Sequence, residues 1–212
     1  MNFVKNRKSN RLKGYDYSQN NLYFVTNCVK NYLCCLGRVI FVGTGHDLSV
    51  QRLKSENSAS NRTKLHHPKL RQNDLRPQDL HPHEIEYMME LNQYGIIVDE
   101  KINWLMQEYK YVDIHNYVVM PNHIHLILEI DRLKVADEDV KIKSLSSLMG
   151  AFKTTASHEI HEEGFEDFAW HRSFHDHIIR DEASYLRISN YIDVNPQKWF
   201  EDKFYHPSLK QF

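Results

Sequence analysis

Cysteine is scarce, and the three present (Cys28, Cys34 and Cys35) show neither CxxC nor other paired spacing. That excludes a disulfide framework and a zinc ribbon, and reads as reduced thiols in a cytosolic protein. No apolar run approaches the roughly 18–20 residues needed to span a bilayer. The first thirteen residues are polar and basic, without the apolar stretch of a signal peptide. A soluble, cytoplasmic protein with no membrane partner is therefore expected. No Gly-rich phosphate loop, nucleotide motif or internal repeat is found.

A surplus of charge is also missing, since the net value is −1, but its distribution is uneven. Residues 1–13 carry five basic side chains and no acid, and residues 51–83 carry seven basic against three acidic ones. The remainder is then acidic, at about −10. Two basic segments on an acidic body suit local phosphate contacts, although mobile solvated segments have the same composition.

What is present is a chain of 212 residues, 41% of them hydrophobic, enough for one domain with a proper core. Residues 22–29 (LYFVTNCV) read as a strand and 38–42 as a second, short one. Residues 43–83 then break the pattern, being polar, rich in Ser, Asn, Gln and His, and punctuated by Pro68, Pro77 and Pro82. A stretch this long without periodicity predicts a flexible insertion within a single 1–212 domain. Its histidines (His66, His67, His81 and His83) are irregularly spaced and read as loop residues rather than a metal site.

A short strand follows at 87–91, then a helix over 96–109 with Val98, Ile102, Leu105, Met106 and Tyr109 on one face. Residues 112–120 and 124–130 form a hairpin about Pro121-Asn122. A helix over 144–161 faces Leu145, Leu148, Phe152 and Ile160 to the core, and 174–179 is a last strand. Asp181 is placed to cap a final helix that carries Tyr185, Ile188, Tyr191 and Ile192 and stops at Pro196. This order predicts an α+β fold, a ferredoxin-like antiparallel sheet with helices packed on it.

Chemistry concentrates in three places. His123-Ile124-His125 lies in a strand, where alternate residues share a face. Both imidazoles then point one way while Ile124 points into the core, and such a pair can hold one divalent ion. Taken alone, an HxH is more often two unrelated histidines. A second pair, His175-Asp176-His177, has no apolar middle residue to anchor it. It reads as a surface or substrate-contact segment beside Arg172 and Arg180, and is the competing metal site. Third, Tyr191 and Asn195 are four apart, hence one helical turn apart on one face. A phenol can attack a phosphodiester beside a metal, with an amide oxygen completing the ion's ligands. Alone, Tyr191 is more often one of twelve tyrosines packed on a sheet. Pro196 also disfavours helical geometry at Asn195.

Taken jointly and in order, several segments resemble the REP-associated tyrosine transposases, a branch of the single-tyrosine HUH transposases. They are RLKGYDYSQNNLYFVTNCV (11–29), VVMPNHIHLI (118–127), KSLSSLMGAFKTTAS (143–157), WHRSFHDHIIR (170–180) and YIDVNPQKW (191–199). The resemblance implies a catalytic Tyr191 and a metal site of His123, His125 and Asn195 holding Mg²⁺ or Mn²⁺. It also implies single-stranded or hairpin DNA as partner, cut to leave a 5′-phosphotyrosine and a free 3′-hydroxyl. Arg11, Lys13, Lys153, Arg172 and Arg180 are the phosphate-contact candidates, and a homodimer is compatible with this reading. Two rivals compete with it. One is a non-catalytic DNA-binding protein derived from a transposase. The other is a zinc hydrolase built on one HxH pair, needing a third ligand for which Asp176 or Glu129 can be proposed.

Overall fold

The computed structural model describes residues 12, 14–43, 86–136 and 139–205. The chain divides into two compact units, residues 1–40 with 88–212, and residues 41–87. The predicted insertion, 43–83, lies outside the described residues except for Gly43, and so do Arg11 and Lys13.

The first unit is built on β1 (Asn21–Cys28), α1 (Gln93–Glu108), β4 (Val112–Met120), β5 (His123–Ile130), α2 (Leu145–Glu162) and β6 (His175–Ile179). Between β1 and α1 the chain forms β2 (Gly37–Gly43) and β3 (Glu86–Leu91), which pair as a separate two-stranded sheet. The main sheet has the order β4-β5-β1-β6, and every pairing is antiparallel. Setting β2 and β3 aside, this is βαββαβ with its first and third strands central, the ferredoxin-like arrangement expected. A last helix, α3 (Glu182–Asp193), follows β6.

The helices start where side-chain oxygens satisfy the first-turn amides. Asn92 accepts from the amides of Tyr94 and Gly95, Ser144 from Ser147, and Asp181 from Ser184. Period-2 alternation on the central strands then sorts side chains into two layers. Tyr23, Val25, Ile124, Leu126, Leu128 and Ile130 face one way and form the main core with Ile97, Val98, Ile102 and Leu105 of α1 and Leu148, Phe152 and Ile160 of α2. Lys101 and Glu159 tie α1 to α2 at its edge. Leu22, Phe24 and Ile127 face the other way and pack with Ile179 and with Tyr185, Ile188 and Ile192 of α3. The sheet therefore lies between two helical layers, and β5 is buried along nearly its whole length. The third layer departs from a simple two-layer sandwich: the sequence order fixes the βαββαβ core, while α3 covers the face the core leaves open.

The hairpin turn is tied from several sides. Val29 donates its amide to the Asn122 carbonyl, and Cys35 and Leu36 both donate to the Pro121 carbonyl. In the second unit, the Phe41 and Tyr87 rings meet edge-on, 6.1 Å between centroids. Among the described residues, no helix is long and apolar enough to cross a membrane.

One close approach makes the packing testable. A Cβ on Gly95, near the start of α1, would lie 2.0 Å from the Leu36 carbonyl oxygen, whereas one on Gly150 of α2 would meet nothing within 4 Å. Gly95→Ala is expected to cost about 1–3 kcal/mol by overpacking. Gly150→Ala is expected to gain about 0.5–1 kcal/mol from lost unfolded-state freedom. Urea unfolding of the two variants against wild type reads both signs, and equal effects would contradict the packing described.

Candidate metal centre and nucleophile

β5 begins at His123, one residue earlier than the sequence suggested, and puts His123 and His125 on the α3 face of the sheet while Ile124 enters the main core. Both imidazoles are buried, at 0% and 1% exposure. Each is oriented through Nδ1. The Asn122 side-chain oxygen lies 2.8 Å from His123 Nδ1, and Thr26 Oγ1 lies 2.8 Å from His125 Nδ1. Such contacts fix ring tilt and leave the opposite nitrogen free to act as a ligand. The two Nε2 atoms converge to 3.1 Å. Ligand atoms about 2.1 Å from an octahedral ion stand about 3.0 Å apart on adjacent vertices, so the separation fits a shared divalent cation.

α3 brings Tyr191 to the same place. Its hydroxyl lies 3.2 Å from His125 Nε2. Its ring meets that of His125 at 5.1 Å and that of Phe24 at 6.1 Å. At 37% exposure the ring borders both solvent and the histidine pair. Asn195 keeps αR backbone angles (φ −60°, ψ −43°) despite the following proline. The shared helical face is thus preserved against the local bias of Pro196. Asn195 is 2% exposed, and its Oδ1 has no hydrogen-bond partner among the described residues. A buried acceptor left unpaired is costly unless something else satisfies it, and a cation would.

Three further residues of the site have no counterpart in the sequence reading. Beyond α3, a 3-10 turn (Pro196–Glu201) leads to Asp202, Lys203 and Phe204. One ligand atom each from His123, His125 and Asp202 lie within 4.8 Å of one another. Among the described residues no other His, Cys, Asp and Glu side chains gather three such atoms. The Phe204 ring lies 4.7 Å from that of His123. Nothing periodic or motif-like marks these positions; only their place shortly after the Tyr191–Asn195 pair hints at them.

Electrostatics follow from burial. Desolvation holds both imidazoles neutral, pushing His125 down to about 3 and His123 well below the usual histidine range. Their charges also oppose each other, since a proton on His125 would disfavour one on His123, and the Lys203 ammonium acts against protonation of both rings. The Tyr191 phenol is raised by burial and then by the Asp202 charge, while a hydrogen bond from the Asn195 side chain pulls the other way. Burial also raises the three thiols, Cys28 and Cys34 to about 11 and Cys35 to about 12, so they stay protonated and inert.

The remaining candidates are dispersed. His175 and His177 are exposed on the edge strand β6, opposite Thr26 and Phe24 of β1, and belong to no three-ligand group among the described residues. Asp176 sits between them, and Glu129 is engaged by His115 Nε2 at 2.8 Å. Neither supplies the third ligand that the hydrolase reading requires. Tyr185, the other tyrosine of α3, has its hydroxyl 3.4 Å from His115 Nδ1. Lys153 donates through Nζ to the carbonyls of His171 and Arg172, holding the loop before β6. Burial lowers its pKa. Arg172 and Arg180 are exposed.

With this geometry in view, comparison with known proteins finds few relatives. No family model matches the chain. A protein of Haemophilus influenzae, itself described only as uncharacterized, is 27% identical over 215 residues, covering 95% of this chain and 94% of that one. Among solved structures, one of a REP-associated tyrosine transposase bound to a REP hairpin is similar over 91% of this chain and 76% of that one. The TM-score is 0.48 and the identity 17%.

The buried neutral imidazoles predict a pH signature. Their folded-state pKa values lie below the unfolded value near 6.5. Below that pH the unfolded chain therefore binds the extra protons, and stability is full above about 6.5 and falls as the pH drops towards 3. Each imidazole contributes up to about 1.4 kcal/mol per pH unit in that window. Urea unfolding from pH 7.5 to 4.5 should show a steeper loss for wild type than for the doubly substituted His123→Gln, His125→Gln protein. Parallel profiles would mean that the two rings titrate normally.

Proposed function

We propose that this protein is a metal-dependent single-tyrosine transposase of the HUH type, which nicks and rejoins single-stranded or hairpin DNA through Tyr191. The observation that carries the reading is the convergence of three groups. A solvent-bordering phenol stands 3.2 Å from one of two buried imidazoles whose Nε2 atoms lie 3.1 Å apart. A protein that only binds DNA has no use for that arrangement. Further support comes from the unpaired Asn195 oxygen and from the ordered set of sequence segments that resemble the REP-associated tyrosine transposases.

His123, His125 and Asn195 would hold Mg²⁺ or Mn²⁺, ions that accept mixed imidazole and oxygen ligands. Such an ion, when bound, polarises the scissile phosphate and offsets the negative charge that develops on it. The chain supplies the rest. Asn122 and Thr26 aim the imidazoles, and Phe24 and α3 hold the Tyr191 ring. The Tyr191 oxygen bonds to phosphorus as the bond from phosphorus to the 3′-oxygen breaks. The phenol proton is lost, and the leaving 3′-oxygen ends as a hydroxyl. Because one phosphodiester replaces another, the free 3′-hydroxyl can reverse the step. No nucleotide cofactor is required. Arg172 and Arg180, with the N-terminal Arg11 and Lys13, are assigned to phosphate contacts, while Lys153 holds the loop that carries Arg172.

The test is incubation of labelled hairpin DNA from the flanks of the gene with the protein and Mn²⁺, followed by denaturing electrophoresis. Wild type should form a covalent adduct. Tyr191→Phe should lose it to the detection limit while still binding the hairpin. An adduct that survives in Tyr191→Phe would place the nucleophile elsewhere, with Tyr185 the next tyrosine on α3. Hairpin binding without an adduct under any divalent ion would favour the non-catalytic DNA-binding protein instead.

A further inference from the structure

The proposed ligand set of two imidazoles and one amide is neutral, yet it would hold a doubly charged ion in a buried site beside the Lys203 ammonium. Hard divalent cations are ordinarily bound through at least one carboxylate, and a buried charge without compensation is costly. Asp202 is the carboxylate within reach. A ligand atom of this residue lies within 4.8 Å of those of both His123 and His125. The Phe204 amide donates to its Oδ1 at 2.7 Å, which orients the group and leaves the second oxygen for another partner.

The segment that carries Asp202 is anchored by contacts to the site itself. Trp199 is 1% exposed and packs with Cys34, Met120 and Tyr205. The Asn122 amide donates to the Phe204 carbonyl at 2.9 Å and to the Tyr32 carbonyl at 3.0 Å. The oxygen of the same side chain meets His123 Nδ1. Phe204 stacks on Tyr32 at 5.5 Å and lies against His123. One asparagine therefore joins the first imidazole to the segment that follows α3.

We propose that Asp202 is an ion ligand delivered by residues 196–205, so that binding a divalent cation at His123 and His125 clamps this segment over the site. The inference rests on the ion of the proposed function. It adds a carboxylate that the sequence resemblance does not supply, and it makes cation binding and local order thermodynamically linked. Lys203, next to that carboxylate, opposes positive charge at the two rings, and the Asp202 charge offsets that repulsion.

Two readouts on the full chain test it without reference to DNA cleavage. The first is Mn²⁺ affinity, followed by the paramagnetic resonance signal of free Mn²⁺. The second is amide hydrogen exchange of 196–205 with and without Mn²⁺. The probe variant is Asp202→Asn, which keeps an oxygen to accept from the Phe204 amide; the doubly substituted His123→Ala, His125→Ala protein is the negative control. Expected are Mn²⁺ binding at least about tenfold weaker in Asp202→Asn than in wild type, and exchange of 196–205 slowed by Mn²⁺ in wild type only. Equal affinities of wild type and Asp202→Asn would overturn the ligand assignment and leave the two-histidine site standing. Weaker binding with unchanged exchange would overturn the clamp. A wild type that binds no Mn²⁺ would overturn the ion reading itself and the Asp202 assignment with it.

Discussion

Two imidazoles held side by side in a buried sheet face, with their Nε2 atoms 3.1 Å apart, form the constraint around which this molecule is arranged. Burial makes the charged forms costly, so both rings stay neutral and available as ligands. Neutral imidazoles at this distance still crowd two like-facing lone pairs, unless one ring donates a proton to the other or both share a cation. The Nδ1 contacts to Asn122 and Thr26 keep the rings in this orientation. Each comes from an element fixed for other reasons, Asn122 by the β4–β5 turn and Thr26 by its register on β1.

The fold provides this through a division of labour between the two sheet faces. One face joins α1 and α2 in the main core and makes β5 rigid. The other leaves room for the histidines and is covered by α3 and the residues after it. The nucleophile candidate therefore comes from a different layer than the two histidines proposed to hold the ion. Its position depends on how α3 seats through Ile188 and Ile192 against Leu22, Phe24 and Ile127. Those contacts are part of the site's geometry although none of these side chains carries chemistry.

Much of this was legible in the sequence because it is local. The alternation around His123-Ile124-His125 gives the face of each imidazole, Asp181 gives the start of α3, and the four-residue step from Tyr191 gives Asn195. The apolar spacing of α2 placed its buried side, and that of α1 placed Val98, Ile102 and Leu105 but missed Ile97 and put the partly exposed Met106 in the core. What was hidden depends on distant parts of the chain. Asp202 reaches the histidines only because Trp199 and Phe204 pack there; Trp199 closes the YIDVNPQKW segment, but nothing in the sequence marks Asp202 or Phe204. Lys153 looks like any surface cation until the loop before β6 supplies two carbonyls for it to hold. The second HxH differs from the first only in its middle residue, and the sheet order explains the outcome: β5 is central and buried, whereas β6 is an edge with its histidines exposed.

The most direct check on the central claim is crystallography of the protein soaked in Mn²⁺, with data collected at the manganese absorption edge. One anomalous peak within about 2.0–2.3 Å of both His123 Nε2 and His125 Nε2 is predicted, with the Tyr191 hydroxyl beside it. A peak located elsewhere, for instance at His175 and His177, or none at all with the two rings still paired, would contradict the account.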